Sequence, residues 1–115
     1  MKDAKTKKEL QEQYKERKII GGVYAIKNIR KDKLLLDASA DLRGSNNRFD
    51  FAKKTGSCVN VKLQSDWNKQ GSDDFAFEVM EELEKGETQT DAEFKADIDV
   101  LKEMWLEKLS GRDLY

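Results

Sequence analysis

Cys58 is the only cysteine of this 115-residue chain, and histidine is absent. Without imidazole the chain cannot assemble a Ser-His-Asp or Cys-His nucleophile, nor a histidine-ligated metal. A single thiol forms no internal disulfide and no thiolate zinc cage, so Cys58 reads as a small core filler or a half-exposed thiol. Chemistry is left to phenol, guanidinium, ammonium and carboxylate groups. Lys53-Lys54 are placed to contact phosphates, or to serve as ordinary cations at a helix C-terminus, where the macrodipole is negative. The acidic run Glu78 to Glu87 lacks EF-hand spacing and reads as a solvated edge. Trp67 and Trp105 lie on apolar stripes and read as core rather than as base-stacking platforms.

Charged residues make up 39% of the chain, against ~25% in a typical domain. The 22 bases and 23 acids nearly cancel, for a net charge of −1, and point to no partner. Their distribution is uneven: residues 1–63 carry +8 and residues 64–115 carry −9. Such a split suits a basic face for a polyanion. Its structural alternative is a pair of halves that attract each other.

These groups must be positioned by one small domain. The length suits a single core, and 37% hydrophobic residues are enough to fill it. No apolar run is long enough for a secretory signal or a membrane span, so a soluble, cytoplasmic protein is expected, with no membrane partner. Residues 4–17 favour a helix with only Leu10 and Tyr14 as an apolar pair, which makes residues 1–19 a charged N-terminal helix or arm. Ile19-Ile20-Gly21-Gly22 opens the folded part, taken as residues 20–115. Val23-Tyr24-Ala25-Ile26, a polar turn over 28–33 and Leu34-Leu35-Leu36 form a β-hairpin pattern.

Asp41 to Lys54 reads as a helix, with Leu42, Phe49 and Phe51 as its apolar residues and Gly56-Ser57 as its end. Val59, Leu63 and Trp67 recur at i, i+4 and i+8, which predicts a second helix stopped by Gly71. Phe75, Phe77 and Val79 alternate as in a strand. Thr90 and Glu93 have capping-box spacing, and Phe94, Ile98, Leu101, Trp105 and Leu109 form the stripe of a last helix. The order is α-β-β-α-α-β-α, an α+β domain with a three-stranded sheet flanked by helices.

In this order, Gly22-Val23-Tyr24, the hairpin, Asp41-Leu42-Arg43, Leu63 to Asn68, Phe75 to Val79 and the Leu101 to Leu109 helix resemble a GIY-YIG nuclease domain over roughly residues 20–110. The resemblance implies an antiparallel three-stranded sheet and metal-dependent cleavage of a DNA phosphodiester. It also implies two motif tyrosines and an arginine around the scissile phosphate, and a glutamate on the last helix that binds one divalent cation. A phenol can relay a proton, a guanidinium can stabilise phosphate charge, and a hard cation needs a carboxylate.

Tyr24 matches the first motif tyrosine, and Arg48 the arginine, with Arg43 as its near alternative. The second motif falls at Leu35-Leu36-Asp37, without tyrosine or glycine. Lys102 stands where the metal-binding glutamate is expected, and Glu103 beside it is one helical step, ~100°, away. The expectation is therefore a catalytically impaired member, retained to bind nucleic acid or protein, with Tyr24 and Arg48 at the old catalytic position. Arg43, Lys53 and Lys54 are the candidate nucleic-acid contacts. An active endonuclease is the alternative, using Mg²⁺ or Mn²⁺ on Glu103 or Asp37. A small interaction module, acting on a protein partner or as a homodimer, is the third reading.

Overall fold

A computed structural model describes residues 18–115. The helix expected over 4–17 lies outside the described residues. From Ile20 onward the chain builds two strands, β1 (Ile20–Asn28) and β2 (Lys33–Ser39), then helix α1 (Leu42–Thr55) and helix α2 (Gln64–Gln70). A third strand, β3 (Phe75–Glu84), and helix α3 (Asp91–Lys108) complete it. The sheet is antiparallel with order β2-β1-β3, so the tyrosine-bearing strand is central. Among the described residues, no helix is long and apolar enough to cross a membrane.

Both faces of the sheet are covered, and this explains why Leu34, Leu35 and Leu36 are buried in succession. Successive strand side chains point to opposite faces. Ile26, Leu35 and Phe75 meet Phe49, Ala52, Leu63 and Trp67 beneath α1 and α2. Val23, Ala25, Leu34 and Leu36 meet Leu109 on the α3 side, with Leu101 and Trp105 partly buried beside them.

Local chemistry sets the helix ends. Asp41 caps α1 through the Gly44 amide at 3.0 Å, and Gly56 closes it in the left-handed region at φ 78°. The capping box of α3 is complete: the Glu93 amide donates to Thr90 Oγ1 at 3.1 Å, and the Thr90 amide to Glu93 Oε1 at 2.9 Å.

Two expectations need correction. Phe51 is 67% exposed, because two residues beyond the buried Phe49 is ~200° around the helix. Val59 is exposed and precedes the helix it was expected to start. There the Asn60 side chain accepts from the Lys62 amide at 2.8 Å and begins a short 3₁₀ turn, Val61–Leu63, ahead of α2.

The hairpin end is locked from a distance. Buried Asn28 donates to Gln70 Oε1 at 2.8 Å and to the Tyr115 hydroxyl at 2.9 Å, and that hydroxyl donates to Asp66 at 2.6 Å. Lys31 pairs with Asp66 at 2.8 Å. Residues 113–115 run beside β2: the Leu34 amide donates to the Asp113 carbonyl at 3.0 Å and the Tyr115 amide to the Leu34 carbonyl at 2.8 Å.

Candidate functional site

Tyr24 and Asp37 are direct cross-strand partners in the β1–β2 ladder. Opposed residues share a face of the sheet, and the Tyr24 hydroxyl donates to Asp37 Oδ2 at 3.3 Å. On the other flank, Phe77 of β3 stacks on the Tyr24 ring with centroids 4.7 Å apart and planes at 19°. A register shift between Val23 and Tyr24 places Val23 opposite Glu81 and Tyr24 opposite Val79, leaving Met80 as the extra residue of a bulge. Bulges bend the bulged strand and re-aim its side chains, and here the bulge of β3 lies opposite the Val23–Tyr24 step.

Helix α1 supplies the opposing wall. Arg48 donates from Nη2 to Ser45 Oγ at 3.0 Å, and buried Ser45 donates onward to Ser39 Oγ at 2.8 Å. The guanidinium is thus tethered through two hydroxyls to the end of β2. Tyr24, Asp37, Ser45, Arg48 and Asn60 line one cavity of about 180 Å³, closed at the side by Phe49, Val59 and Phe77.

Burial pushes the Tyr24 phenol up to about 12, aided by the charge of Asp37 and the hydrogen bond to it. Arg48 and Ser45 pull in the opposite direction and do not prevail. At neutral pH Tyr24 is therefore a neutral phenol that donates its proton toward Asp37, not a phenolate that accepts one.

The third participant comes from α3. Lys102 Nζ lies 3.5 Å from Asp37 Oδ1, which also accepts the Ala38 amide at 2.8 Å. Asp37 is on an edge strand, so the long lysine reaches it around the sheet margin. Glu103 is exposed on α3 and forms no ion pair with any described residue.

The other basic candidates divide. Arg43 lines an open groove of about 770 Å³ between the start of α1 and β3, together with Lys18, Asn46 and Val79. Phe77 borders both this groove and the Tyr24 cavity. Lys53 turns inward, donating to the Phe75 carbonyl at 3.2 Å, whereas Lys54 is exposed. Cys58 is half-buried and donates to the Asn60 carbonyl at 3.1 Å.

Sequence reasoning found Tyr24, Arg48, Asp37 and Lys102 singly, but not the Asp37–Lys102 pair, nor Ser45 and Asn60. One signal was available: a turn over residues 29–32 closes Asn28 on Lys33 and thereby fixes Tyr24 opposite Asp37.

A β2-β1-β3 antiparallel sheet with helices on both faces is the fold of the GIY-YIG catalytic domain, and this chain has that fold. Its structural neighbours are nuclease domains. A mutant form of the catalytic domain of intron endonuclease I-TevI aligns at TM-score 0.58 and 24% identity, over 80% of this chain and 86% of that one. The catalytic domain of homing endonuclease I-TevI aligns at TM-score 0.51 and 22% identity, over 78% and 88% respectively. No protein-family model and no curated protein matches the chain.

GIY-YIG nucleases typically depend on a divalent metal, and the residues at this cleft do not fit one. Hard cations take about six oxygen ligands, carboxylates foremost. Among the described residues, Asp37 is the only carboxylate lining the cavity, and it already faces an ammonium. Among the described residues, no group of three or more Cys, Asp or Glu is arranged to hold a metal.

Proposed function

We propose that this chain is a GIY-YIG-fold domain with impaired phosphodiester hydrolysis, retained for binding nucleic acid. The observation that carries this reading is the Lys102–Asp37 ion pair, an ammonium and an engaged carboxylate where metal-dependent hydrolysis calls for free oxygen ligands. The Tyr24 hydroxyl adds to it, since its proton is already committed to Asp37 at 3.3 Å. Arg48, Arg43 and Lys54 are exposed cations along the helix that borders the cleft and the groove. They are assigned to phosphate contacts, with Lys53 supporting the helix end from inside.

Plasmid nicking with Mg²⁺ and then Mn²⁺, run beside Tyr24→Phe, tests the hydrolytic half. No cleavage above background is expected in either metal. Metal-dependent cleavage that Tyr24→Phe removes would overturn the reading. Affinity for duplex DNA should fall with salt, the log–log slope losing about 0.9 for each phosphate contact removed. Arg43→Ala should therefore flatten the slope by about that amount.

One observation favours a second reading, an active endonuclease: Tyr24 and Arg48 line the same cavity. In that case Tyr24→Phe and Arg48→Ala each abolish cleavage with the fold intact.

A further inference from the structure

We infer that Lys102 is the built-in cation of this cleft, holding the place beside Asp37 that a divalent ion would take and excluding such ions from it. Both oxygens of the Asp37 carboxylate are engaged. Oδ1 accepts the Ala38 amide at 2.8 Å and faces Lys102 Nζ at 3.5 Å. Oδ2 accepts the Tyr24 hydroxyl at 3.3 Å. The lysine comes from a different element than the other two groups, so β1, β2 and α3 converge on one carboxylate.

The side chains of Lys102 and Asp37 are 35% and 39% exposed, open enough for an ion to arrive from solvent. Burial does not keep a cation away; the resident charge does. A dication approaching Asp37 would meet an ammonium already beside it, and among the described residues it would find no second carboxylate in the cavity. Because this cation is part of the chain, the charge of the cleft does not depend on dissolved metal or respond to chelators.

A single exchange at Lys102 reverses the arrangement. Lys102→Glu replaces the ammonium with a carboxylate reaching the same edge of β2. Two carboxylates and the Tyr24 hydroxyl would then converge, with solvent access for the remaining ligands. Glu103, on the neighbouring face of α3, would contribute nothing.

The inference stands on this geometry and not on the nucleic-acid reading, and its test contains no nucleic acid. Purified full-length chain is titrated with Mn²⁺ while free ion is followed by electron paramagnetic resonance. The wild type should show no stoichiometric site, and Glu103→Gln should leave its titration unchanged. Lys102→Glu, with wild-type circular dichroism, should bind one Mn²⁺ per chain about tenfold or more tightly, since ligand charge count sets such affinities. Adding Asp37→Asn should abolish that gain. Lys102→Gln, which removes only the repelling charge, should raise affinity by a smaller factor.

The wild type and Asp37→Asn together decide even if Lys102→Glu fails to fold. One Mn²⁺ bound by the wild type and lost in Asp37→Asn overturns the inference. A folded Lys102→Glu that binds no better than wild type overturns it as well.

Discussion

The Tyr24 hydroxyl has its proton held by burial and by an anionic neighbour, and Tyr115 is in the same condition against Asp66; each is raised to about 12. A phenol whose native pKa exceeds its unfolded value of 10.0 stabilises the fold fully below pH 10. That contribution disappears as pH climbs from there toward 12. Phenolate absorbance at 295 nm should accordingly show two late-ionising tyrosines, and Tyr24→Phe should remove one of them. Asp66 has the opposite sign: hydrogen bonds from Lys31 and Tyr115 hold its carboxyl below the usual range. Its contribution is present above the ordinary carboxylate pKa and is lost as acid protonates it. At this scale the sequence was partly legible. Tyr24 and Arg48 stood out by type and position, and they share a cavity. The Asp37–Lys102 pair joins residues 65 positions apart across a sheet edge, a proximity that no local pattern records.

The close approach of both neighbouring strands to β1 explains the glycines that precede Tyr24. Gly22 has φ 146°, and a Cβ there would be driven into the Glu81 carbonyl of β3. Gly21 is hemmed in by the Ser39 carbonyl and the Ile98 side chain, at 2.6 and 2.7 Å from where its Cβ would lie. The central strand is thus pressed between both neighbouring strands and α3 immediately before the site. Gly22→Ala should lower unfolding free energy by about 2 kcal/mol or more, as strained backbone positions do, and urea denaturation monitored by circular dichroism measures it. Elements with complete local signals were readable: the capping box and five-residue stripe specified α3, alternation specified β3, and β-rich runs around a polar turn specified the hairpin. The second helix was harder, because Val59, Leu63 and Trp67 have helical spacing while Asn60 interrupts the backbone between them. Periodicity records faces; it does not record where a side chain captures an amide.

Across the molecule, the opposed charges of the two chain halves are used internally. Of the seven ion pairs among the described residues, three join a base of residues 1–63 to an acid of residues 64–115, Lys18–Glu84, Arg30–Asp74 and Lys31–Asp66, while Lys102–Asp37 and Arg112–Asp32 cross the halves in the opposite sense. Each exposed pair contributes about 0–1 kcal/mol and is screened by salt. Stability measured in urea should therefore fall by about 1–2 kcal/mol between low ionic strength and 0.5 M NaCl. Unchanged stability would mean that these pairs contribute nothing net. The excess charge was legible from the sequence, whereas its division between self-attraction and an outward face depended on which residues the fold brings together. The contact between Asn28 and Tyr115, 87 residues apart, has a consequence for assembly in time. Closing so large a loop carries an entropic cost that must be met before the contact stabilises anything. While the chain is being synthesised, Gln70 can engage the Asn28 amide first, and the β2 edge at Leu34 stays open until residues 113–115 emerge. Residues 113–115 then seal a strand pair made some eighty residues earlier.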